Sequence, residues 1–339
     1  MSVRVAAALA LALALLTGAA CAPRVAVPDN AVRGEPVITE NTLRMPDGAR
    51  LPLYRWLPRD GEPRAVILGV HGFGDTGMAF DIPASWFAAN GFAVYAYDQR
   101  GFGANPNAGI WPGTDTLVGD LDTAVRLIDD RHPETPVYVL GASMGGAVVL
   151  TAAAQNELPA VDGAILAAPA VWARSTMPFY QRWALWLGAR LVPWLKVSGT
   201  DLGIRASDND AALYALGRDP HVIVETRVDA LHGLTNLMDA ALAAGDDAPT
   251  PLLSVYGVND AIVPAQPMLK LWHKLPEHGA TPALYRDGWH MLLRDVHAHR
   301  VWHDIEAWIA AGGANPLPSD ADDAARRAIE AGRIPAAEE

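Results

Sequence analysis

Ser143 lies in the pattern that most restricts how this chain can fold. It is the central residue of Gly141–Gly145 (GASMG), between the apolar segment 136–140 and the helix-forming segment 146–154. On a strand-turn-helix unit such a serine occupies a sharp turn, where side chains at the two flanking glycine positions would collide with neighbouring backbone. The pattern therefore predicts a strand that ends in an exposed serine hydroxyl. The next amide, that of Met144, is predicted to point toward the same place.

Apolar, strand-like segments alternate with helical segments along most of the chain. The strands are predicted at 65–71, 92–97, 136–140, 161–167, 252–257 and 282–285, and helices at 78–90, 115–131 and 146–154. Residues 37–57 contain two extended pieces around a turn, which predicts an antiparallel pair. Because strands that alternate with helices form parallel sheets covered on both faces, we predict the α/β class with a mostly parallel central sheet.

Composition supports one large globular domain. The chain has 339 residues, of which 51% are hydrophobic and 19% are charged, and this balance argues against a largely disordered protein. Its formal net charge of −12 disfavours nucleic acid and anionic membrane surfaces as electrostatic partners. The single cysteine excludes an internal disulfide framework.

The first residues have the pattern of an export signal. Arg4 precedes the Ala/Leu-rich run 5–16 and a group of small residues, so we predict a signal peptide at 1–20. Cys21 follows at the predicted cleavage site, which resembles a bacterial lipoprotein signal in which this cysteine is lipidated. Gly18 stands where such signals usually carry leucine, and ordinary cleavage beside an incidental cysteine is the alternative. The resemblance implies an exported protein that is lipid-anchored in the bacterial cell envelope, on the periplasmic side of the outer membrane.

The remaining chain divides into a tether, one domain and a tail. The proline-containing segment 21–36 is predicted as the tether, 37–313 as the α/β domain, and 314–339 as a polar tail with a short helix at 320–331.

The regular alternation is interrupted between about 170 and 240. This insertion carries four of the eleven tryptophans, and several of its aromatic residues recur at helical spacing. Because open α/β sheets bind ligands at the carboxyl ends of their strands, we predict a substrate-contacting lid. Its predicted contact residues are Trp172, Phe179, Trp183 and Trp186. The alternative is an ordinary core helix.

A serine hydroxyl needs a base, and the base needs an orienting acid, before it can act as a nucleophile at neutral pH. Asp260 follows the strand 252–256 and His290 follows the strand 282–285, so both are predicted at the same sheet edge as Ser143. Other acids fit less well, because Asp287 and Asp295 occupy turn and first-helix positions, whereas Asp246 and Asp247 precede their strand.

A second backbone donor is expected in the glycine-rich loop 71–76, where the Phe73 amide is the candidate. His71 ends a strand and is predicted to support this loop. His297, His299 and His303 are predicted to belong to a solvated helix face, since no carboxylate pattern for a metal accompanies them. We therefore predict no metal site and no organic cofactor.

Taken together, these motifs resemble the monoacylglycerol lipase and lysophospholipase group of α/β-hydrolases, also described as the serine aminopeptidase S33-like family. The resemblance covers roughly residues 37–312 and is carried by 71–74, 97–103, 141–146, 257–264, 288–293 and Asp219-Pro220. It implies an α/β-hydrolase fold with a helical lid insertion. It also implies that Ser143 is the nucleophile, His290 the general base and then acid, and Asp260 the orienting carboxylate, with oxyanion amides at Phe73 and Met144.

The resemblance further implies a carboxylic ester hydrolase that acts on amphiphilic acyl esters beside a membrane. A smaller residue is common in the family where Phe73 stands, and a histidine is frequent where Ala142 stands, so these positions bear on acyl-chain preference. Two alternatives remain. An S33-type aminopeptidase would need an acidic pocket for the substrate amine, and the insertion offers Asp201, Asp208, Asp210 and Asp219. The other alternative is a non-enzymatic, anchored binding protein on a hydrolase fold.

Overall fold

A nine-stranded sheet forms the centre of the protein. The computed structural model describes residues 23–26, 34–158, 161–199, 203–313 and 316–336. Within these ranges the sheet has the strand order β1 (Val37–Ile38), β2 (Thr42–Arg44), β3 (Arg50–Trp56), β5 (Ala93–Tyr97), β4 (Val66–Val70), β6 (Val137–Ala142), β7 (Gly163–Ala167), β10 (Leu252–Gly257) and β11 (Ala280–Tyr285). The six strands from β5 to β11 in this order pair in parallel, and β1, β2 and β3 are joined antiparallel. The predicted fold class, a mostly parallel sheet with helices on both faces, is confirmed. The predicted signal peptide (1–20) and Cys21 lie outside the described residues, as does most of the tether.

The strands follow the apolar segments of the sequence closely. The two strands outside the central sheet are β8 Lys196–Ser198 and β9 Glu225–Arg227. Every residue of β4, β5, β7 and β10 is buried, as expected for parallel strands covered on both faces.

The helices are α1 Asp81–Ala89, α2 Thr114–Arg131, α3 Met144–Ala154, α4 Phe179–Leu191, α5 Asp210–Arg218, α6 Val228–Ala243, α7 Ala265–Trp272, α8 Ala298–Ala310 and α9 Ala321–Glu330. Helix α2 is amphipathic and buries Leu117, Leu121 and Ile128. Helix α3 buries nine of its eleven residues, and they are small or aliphatic apart from Met144 and Thr151. Within the described ranges, no helix combines the length and hydropathy needed to cross a bilayer.

The segment predicted as an insertion contains α4, α5, most of α6 and a separate two-stranded sheet. In this small sheet β8 pairs antiparallel with β9, with Lys196 opposite Arg227. Two backbone hydrogen bonds, from the Val228 amide to the Leu195 carbonyl (2.9 Å) and from the Asp229 amide to the Pro193 carbonyl (3.0 Å), join the start of α6 to the segment after α4.

The predicted tail contributes helix α9, which packs against the edge strand β11. Its Ala321, Ala325 and Ala328 are buried. The buried Asp304 of α8 accepts hydrogen bonds from the Tyr285 hydroxyl (2.7 Å) and from the Ser319 amide (3.1 Å). These contacts hold the tail helix against the end of the sheet.

Candidate active site

Ser143 lies at the turn between β6 and α3 with φ 50° and ψ −113°. A positive φ is uncommon for a residue with a side chain, and it persists only where the surroundings enforce it. Two backbone hydrogen bonds do so, from the Ser143 amide to the Ala167 carbonyl and from the Ala170 amide to the Ser143 carbonyl, both 2.9 Å. The segment after β7 therefore holds this turn on both sides of the serine.

The glycines around Ser143 are required by close backbone approach. A Cβ added to Gly145 would lie 1.9 Å from the Val70 carbonyl oxygen, and one added to Gly141 would lie 2.6 Å from the Gly146 nitrogen. Helix α3 thus starts directly against the end of β4. The predicted reason for the two glycines, collision of a side chain with neighbouring backbone, agrees with these distances.

The structure brings Ser143, His290 and Asp260 together in one hydrogen-bonded chain. The Ser143 Oγ lies 3.0 Å from His290 Nε2, and His290 Nδ1 lies 2.8 Å from Asp260 Oδ2. The side chain of Asp260 is fully buried, and its Oδ1 accepts the amides of Ile262 (2.8 Å) and Val263 (2.9 Å). An ionised carboxylate that accepts from Nδ1–H leaves Nε2 as the acceptor for the serine proton.

Three of the competing acids have other hydrogen-bond or ion-pair partners. Asp287 is exposed and pairs with Arg300 at 3.1 Å, and Asp246 pairs with Lys274 at 2.5 Å. Asp295 is buried and accepts the Trp289 amide.

The two candidate oxyanion residues lie on either side of the serine. Met144 is the first residue of α3, where an amide has no carbonyl partner within the helix. Phe73 belongs to the loop after β4, and the neighbouring Gly72 passes so close that an added Cβ would lie 3.3 Å from the Ser143 Cβ. Both elements therefore border the space in front of Ser143.

His71 holds the loop that contains Phe73. Its Nδ1–H donates to the Gly72 carbonyl (2.7 Å), and its Nε2 accepts the Gln99 amide (2.9 Å). The Gln99 side chain donates to the His71 carbonyl at 2.7 Å. Complete burial lowers the pKa of His71, in keeping with the neutral Nδ1–H form that these two contacts require.

A further support for the same loop is Asp98. Its carboxylate accepts the Gly77 and Ala104 amides, each at 2.8 Å, and the Tyr54 hydroxyl at 3.3 Å. Asp98 therefore joins the segment 97–103 to Gly77, at the end of the loop that carries Phe73.

A cavity of about 740 Å³ opens onto Ser143 and His290. Its wall is largely apolar and comes from the sheet edge and from the inner side of the insertion. The apolar lining side chains include Phe73, Trp172, Met177, Leu185, Leu216, Leu231, Leu234, Met238, Ile262 and Leu293. A cavity of this size and character suits a small or extended apolar ligand that is anchored by a few polar groups.

The structure corrects part of the predicted lid contact set. Trp172 lines the cavity, but Phe179, Trp183 and Trp186 do not, and they are 73%, 65% and 44% exposed. Helix α4 instead turns Gln181 and Leu185 toward the cavity. Both sides of α4 carry large apolar residues, so helical spacing alone could not tell which side faces inward.

An ion pair at the cavity wall was not predicted from the sequence. Arg294 Nη2 lies 2.5 Å from Asp75 Oδ2, and both residues line the cavity. The pair joins the loop that carries Phe73 to the loop that carries His290. Because the two residues are 219 positions apart, no local pattern could have linked them.

The histidines near the start of α8 show no metal-binding geometry. His297 and His299 stack edge-on at 6.2 Å, and His303 contacts the Trp86 ring and lies 3.5 Å from Glu306. In the part of the chain that the structure describes, no group of three or more His, Cys, Asp or Glu side chains is arranged to hold a metal ion.

Known proteins share the sequence pattern of this chain over most of its length. The profile of the family described as "Serine aminopeptidase, S33" matches residues 61–297. The monoacylglycerol lipase of Mycolicibacterium smegmatis is 27% identical over 288 residues, which cover 80% of this chain and 97% of that protein. The monoglyceride lipase of Rattus norvegicus is 27% identical over 289 residues, covering 80% of this chain and 92% of that protein.

Solved structures share the same fold. A soluble variant of the Saccharomyces cerevisiae monoglyceride lipase, in complex with a substrate analogue, superposes with a TM-score of 0.68 at 20% identity, covering 87% of this chain and 100% of that one. The monoacylglycerol lipase of Paleococcus ferrophilus gives a TM-score of 0.66 at 20% identity, covering 77% and 99%.

Proposed function

The chain belongs to the serine aminopeptidase S33 family of α/β-hydrolases, and on that premise we propose that it cleaves carboxylic esters of lipid-like substrates. Monoacylglycerols and lysophospholipids are the first candidates. One observation carries the proposal: the hydrogen-bonded chain of Ser143, His290 and Asp260 opens into a largely apolar cavity of about 740 Å³. Monoacylglycerol and monoglyceride lipases among its relatives support the same substrate class.

The proposed reaction uses each of these residues in turn. Ser143 Oγ attacks the ester carbonyl carbon while His290 Nε2 accepts the hydroxyl proton, and Asp260 stabilises the imidazolium that forms. The amides of Phe73 and Met144 donate to the oxyanion. Collapse of this intermediate breaks the ester C–O bond, and His290 returns the proton to the departing alcohol. His290 then takes a proton from water, which attacks the acyl-enzyme carbonyl carbon. Collapse of this second intermediate breaks the bond between the acyl carbon and Ser143 Oγ, releases the fatty acid and returns the proton from His290 to Ser143.

The cavity favours an acyl chain over a charged amine. Of the described residues that line it, Asp75 has the only carboxylate, and Arg294 already neutralises it. Among the acids considered for an aminopeptidase, Asp208 accepts the Val296 amide and Asp210 pairs with Arg205, and neither lines the cavity. Asp219 does not line it either, and Asp201 lies outside the described residues.

The test is a chain-length series. Wild-type protein and Ser143→Ala are assayed on monoacylglycerols and p-nitrophenyl esters of increasing length, beside lysophosphatidylcholine and aminoacyl chromogenic substrates. Each buried methylene contributes about 0.8 kcal/mol, so kcat/KM is expected to rise roughly fourfold per methylene until the cavity is filled. Activity should be lost in Ser143→Ala.

Other outcomes of the series point elsewhere. Serine-dependent cleavage confined to aminoacyl substrates would replace the lipid proposal with the aminopeptidase alternative. Failure of a fluorophosphonate probe to label wild-type protein would favour the binding-protein alternative.

We also propose that the protein works at a bilayer, anchored through a lipid on Cys21. Several apolar side chains on and after α4 form an exposed surface, here named the outer lid face: Phe179, Tyr180, Trp183, Trp186, Leu187, Leu191, Trp194 and Leu195, all 44–73% exposed. Aromatic side chains of this kind favour the boundary between water and lipid. An enzyme on the bilayer would meet amphiphilic esters where they accumulate.

The described part of the tether lies near the outer lid face, which supports a shared contact with the bilayer. The Arg24 amide donates to Asp229 at 3.1 Å, and the Asp229 amide in turn donates to Pro193, next to Trp194 of the outer lid face. Cys21 precedes Arg24 by three residues, a span of at most about 11 Å. A lipid on Cys21 would therefore enter the same bilayer as the outer lid face.

Membrane fractionation of the full chain tests this proposal. Cys21→Ser is expected to move the protein out of the membrane fraction, and Trp183→Ala is expected to weaken vesicle binding of the unlipidated protein. Neither change should alter hydrolysis of a soluble short ester. Retention of Cys21→Ser in the membrane fraction, together with vesicle binding that Trp183→Ala leaves unchanged, would contradict it.

A further inference from the structure

We propose that Asp295 is a positioning residue that ties the insertion to the loop that carries His290. The inference rests on the proposed function, because it assigns His290 the role of general base. Asp295 is 6% exposed and Ser207, which belongs to the insertion, is fully buried. Residues 206–209 are here named the lid hinge segment, and residues 289–296 the histidine loop.

The two carboxylate oxygens of Asp295 connect these segments directly. Oδ1 accepts the Ser207 hydroxyl at 2.6 Å, and Oδ2 accepts the Trp289 amide at 2.8 Å. One side chain thus contacts the lid hinge segment with one oxygen and the residue immediately before His290 with the other. Hydrogen bonds to a charged acceptor are among the strong ones, so this bridge is a firm link.

The residue after His290 is held by the same segment. The Met291 amide donates to the Ala206 carbonyl at 2.9 Å. Trp289 and Met291 therefore both depend on the lid hinge segment, Trp289 through Asp295 and Met291 directly. His290 therefore lies between two residues whose backbone amides are held, and the Trp289 amide is held by Asp295.

Further hydrogen bonds join the lid hinge segment to the part of the histidine loop that follows His290. The Val296 amide donates to Asp208 Oδ1 and the Asn209 side-chain amide donates to the Arg294 carbonyl, both at 2.8 Å. The Asn209 amide also donates to the Ser207 hydroxyl oxygen at 3.1 Å, which leaves the hydroxyl proton for Asp295. The lid hinge segment and the histidine loop thus form one hydrogen-bonded unit with Asp295 and Ser207 at its buried centre.

The loop 71–76, which carries Phe73, also has a hydrogen bond to the insertion. The Ile223 amide donates to the Gly74 carbonyl at 2.8 Å, one residue beyond Phe73. The insertion thus contacts both loops that border Ser143. A shift of the insertion relative to the rest of the domain would therefore move His290. A displacement of His290 by about 1 Å is sufficient to reduce the rate about 100-fold.

The experiment compares Ser207→Ala, Asp295→Asn and the double variant in the full chain. The substrate is a soluble short p-nitrophenyl ester that does not need the outer lid face. Because the bridge positions the base and does not bind the ester, kcat is expected to fall about 10- to 100-fold with KM within twofold. The double variant should lose no more than the more severe single variant, since both break one bridge.

Asp304→Asn is the matched control. Asp304 is also buried and accepts two hydrogen bonds, from the Ser319 amide and from the Tyr285 hydroxyl. It lies between α8, β11 and the tail. Its substitution is expected to lower the thermal unfolding midpoint while kcat stays within twofold. Loss of stability alone is thereby separated from loss of positioning.

A second measurement keeps the inference independent of the substrate assignment. The rate at which a fluorophosphonate labels the serine is measured for every variant, and it should fall in parallel with kcat. Wild-type protein that labels rapidly but hydrolyses no ester would contradict the proposed function and leave the labelling comparison as the test of Asp295. Ser207→Ala and Asp295→Asn that unfold earlier, yet label and turn over like wild type, would overturn the inference.

Discussion

Gly145→Ala tests whether the contact between α3 and β4 fixes the position of Ser143. An added Cβ at this position would lie 1.9 Å from the Val70 carbonyl oxygen, 2.6 Å from its carbon and 3.0 Å from the His71 carbonyl oxygen. All three atoms belong to backbone, so no side chain can rotate away to make room.

The size of the effect follows from these distances. An ordinary Cβ contact begins at 3.4 Å, so the start of α3 must retreat from β4 by about 1.5 Å. Overpacking of this kind costs about 1–3 kcal/mol of folding free energy or more, beyond the gain of up to about 1 kcal/mol in helix propensity. The same shift moves Ser143 relative to His290, and about 1 Å of misplacement costs about 100-fold in rate.

Gly119→Ala is the control. Gly119 lies inside helix α2, and no atom lies within 4 Å of an added Cβ. Alanine is there expected to stabilise the protein by about 0.8–1.0 kcal/mol, with no effect on activity. The thermal midpoint should rise by about 1 °C, because the unfolding entropy of a 339-residue chain is about 0.7 kcal/mol/K.

Thermal unfolding and kcat/KM on a soluble ester are measured for both variants. We predict opposite signs in stability and a loss of activity in Gly145→Ala alone. A Gly145→Ala protein as stable and active as Gly119→Ala would refute the argument that this contact sets the serine geometry.

Three further predictions concern the acid, the cavity and the buried histidine. Asp260→Asn should reduce kcat about 10⁴-fold with the fold intact, because Nδ1–H then loses its charged acceptor; circular dichroism and steady-state kinetics check this. Leu185→Trp should lower kcat/KM for long acyl esters and leave it unchanged for short ones, because Leu185 lines the cavity. A change in kcat/KM that is the same for every chain length would contradict this. Burial lowers the pKa of His71, so the unfolded chain takes up a proton that the native state does not, and the free energy of unfolding should fall as pH decreases below about 6.5. Urea unfolding at pH 7 and pH 5 should show that the free energy of unfolding falls less in His71→Gln than in wild type, by at most about 1.4 kcal/mol per pH unit. An equal fall in the two proteins counts against the argument.

Much of the fold was predictable because its signals are local. Parallel strands buried on both faces appear as continuous apolar runs, and the predicted strand at 252–257 matches β10 residue for residue. The turn at Ser143 was predictable because glycine at 141 and 145 is demanded by backbone contacts that tolerate no Cβ. Since carboxyl ends of parallel strands meet at one edge, Asp260 and His290 were predicted at the edge where the structure brings them to Ser143.

Features that depend on tertiary contacts were not predictable. Trp183 and Leu185 both suit an apolar helix face, and only the packing of α4 decides that Leu185 faces the cavity. The sequence places Asp295 at an ordinary first-helix position, and no local pattern indicates its bridge to Ser207, which spans 88 positions. The packing of α9 on β11 likewise depends on small alanines whose partner is distant in sequence.

The central claim is that Ser143, activated by His290 and Asp260, carries the acyl group of a lipid-like ester. The most direct measurement is intact-protein mass spectrometry after acid quench of wild type, Ser143→Ala and His290→Ala during turnover of a long-chain p-nitrophenyl ester. We predict a transient mass increase equal to the acyl group in wild type, located on the peptide that contains Ser143, and absent from both variants. An acyl adduct that persists in Ser143→Ala, or ester turnover that is unchanged in that variant, would contradict the claim.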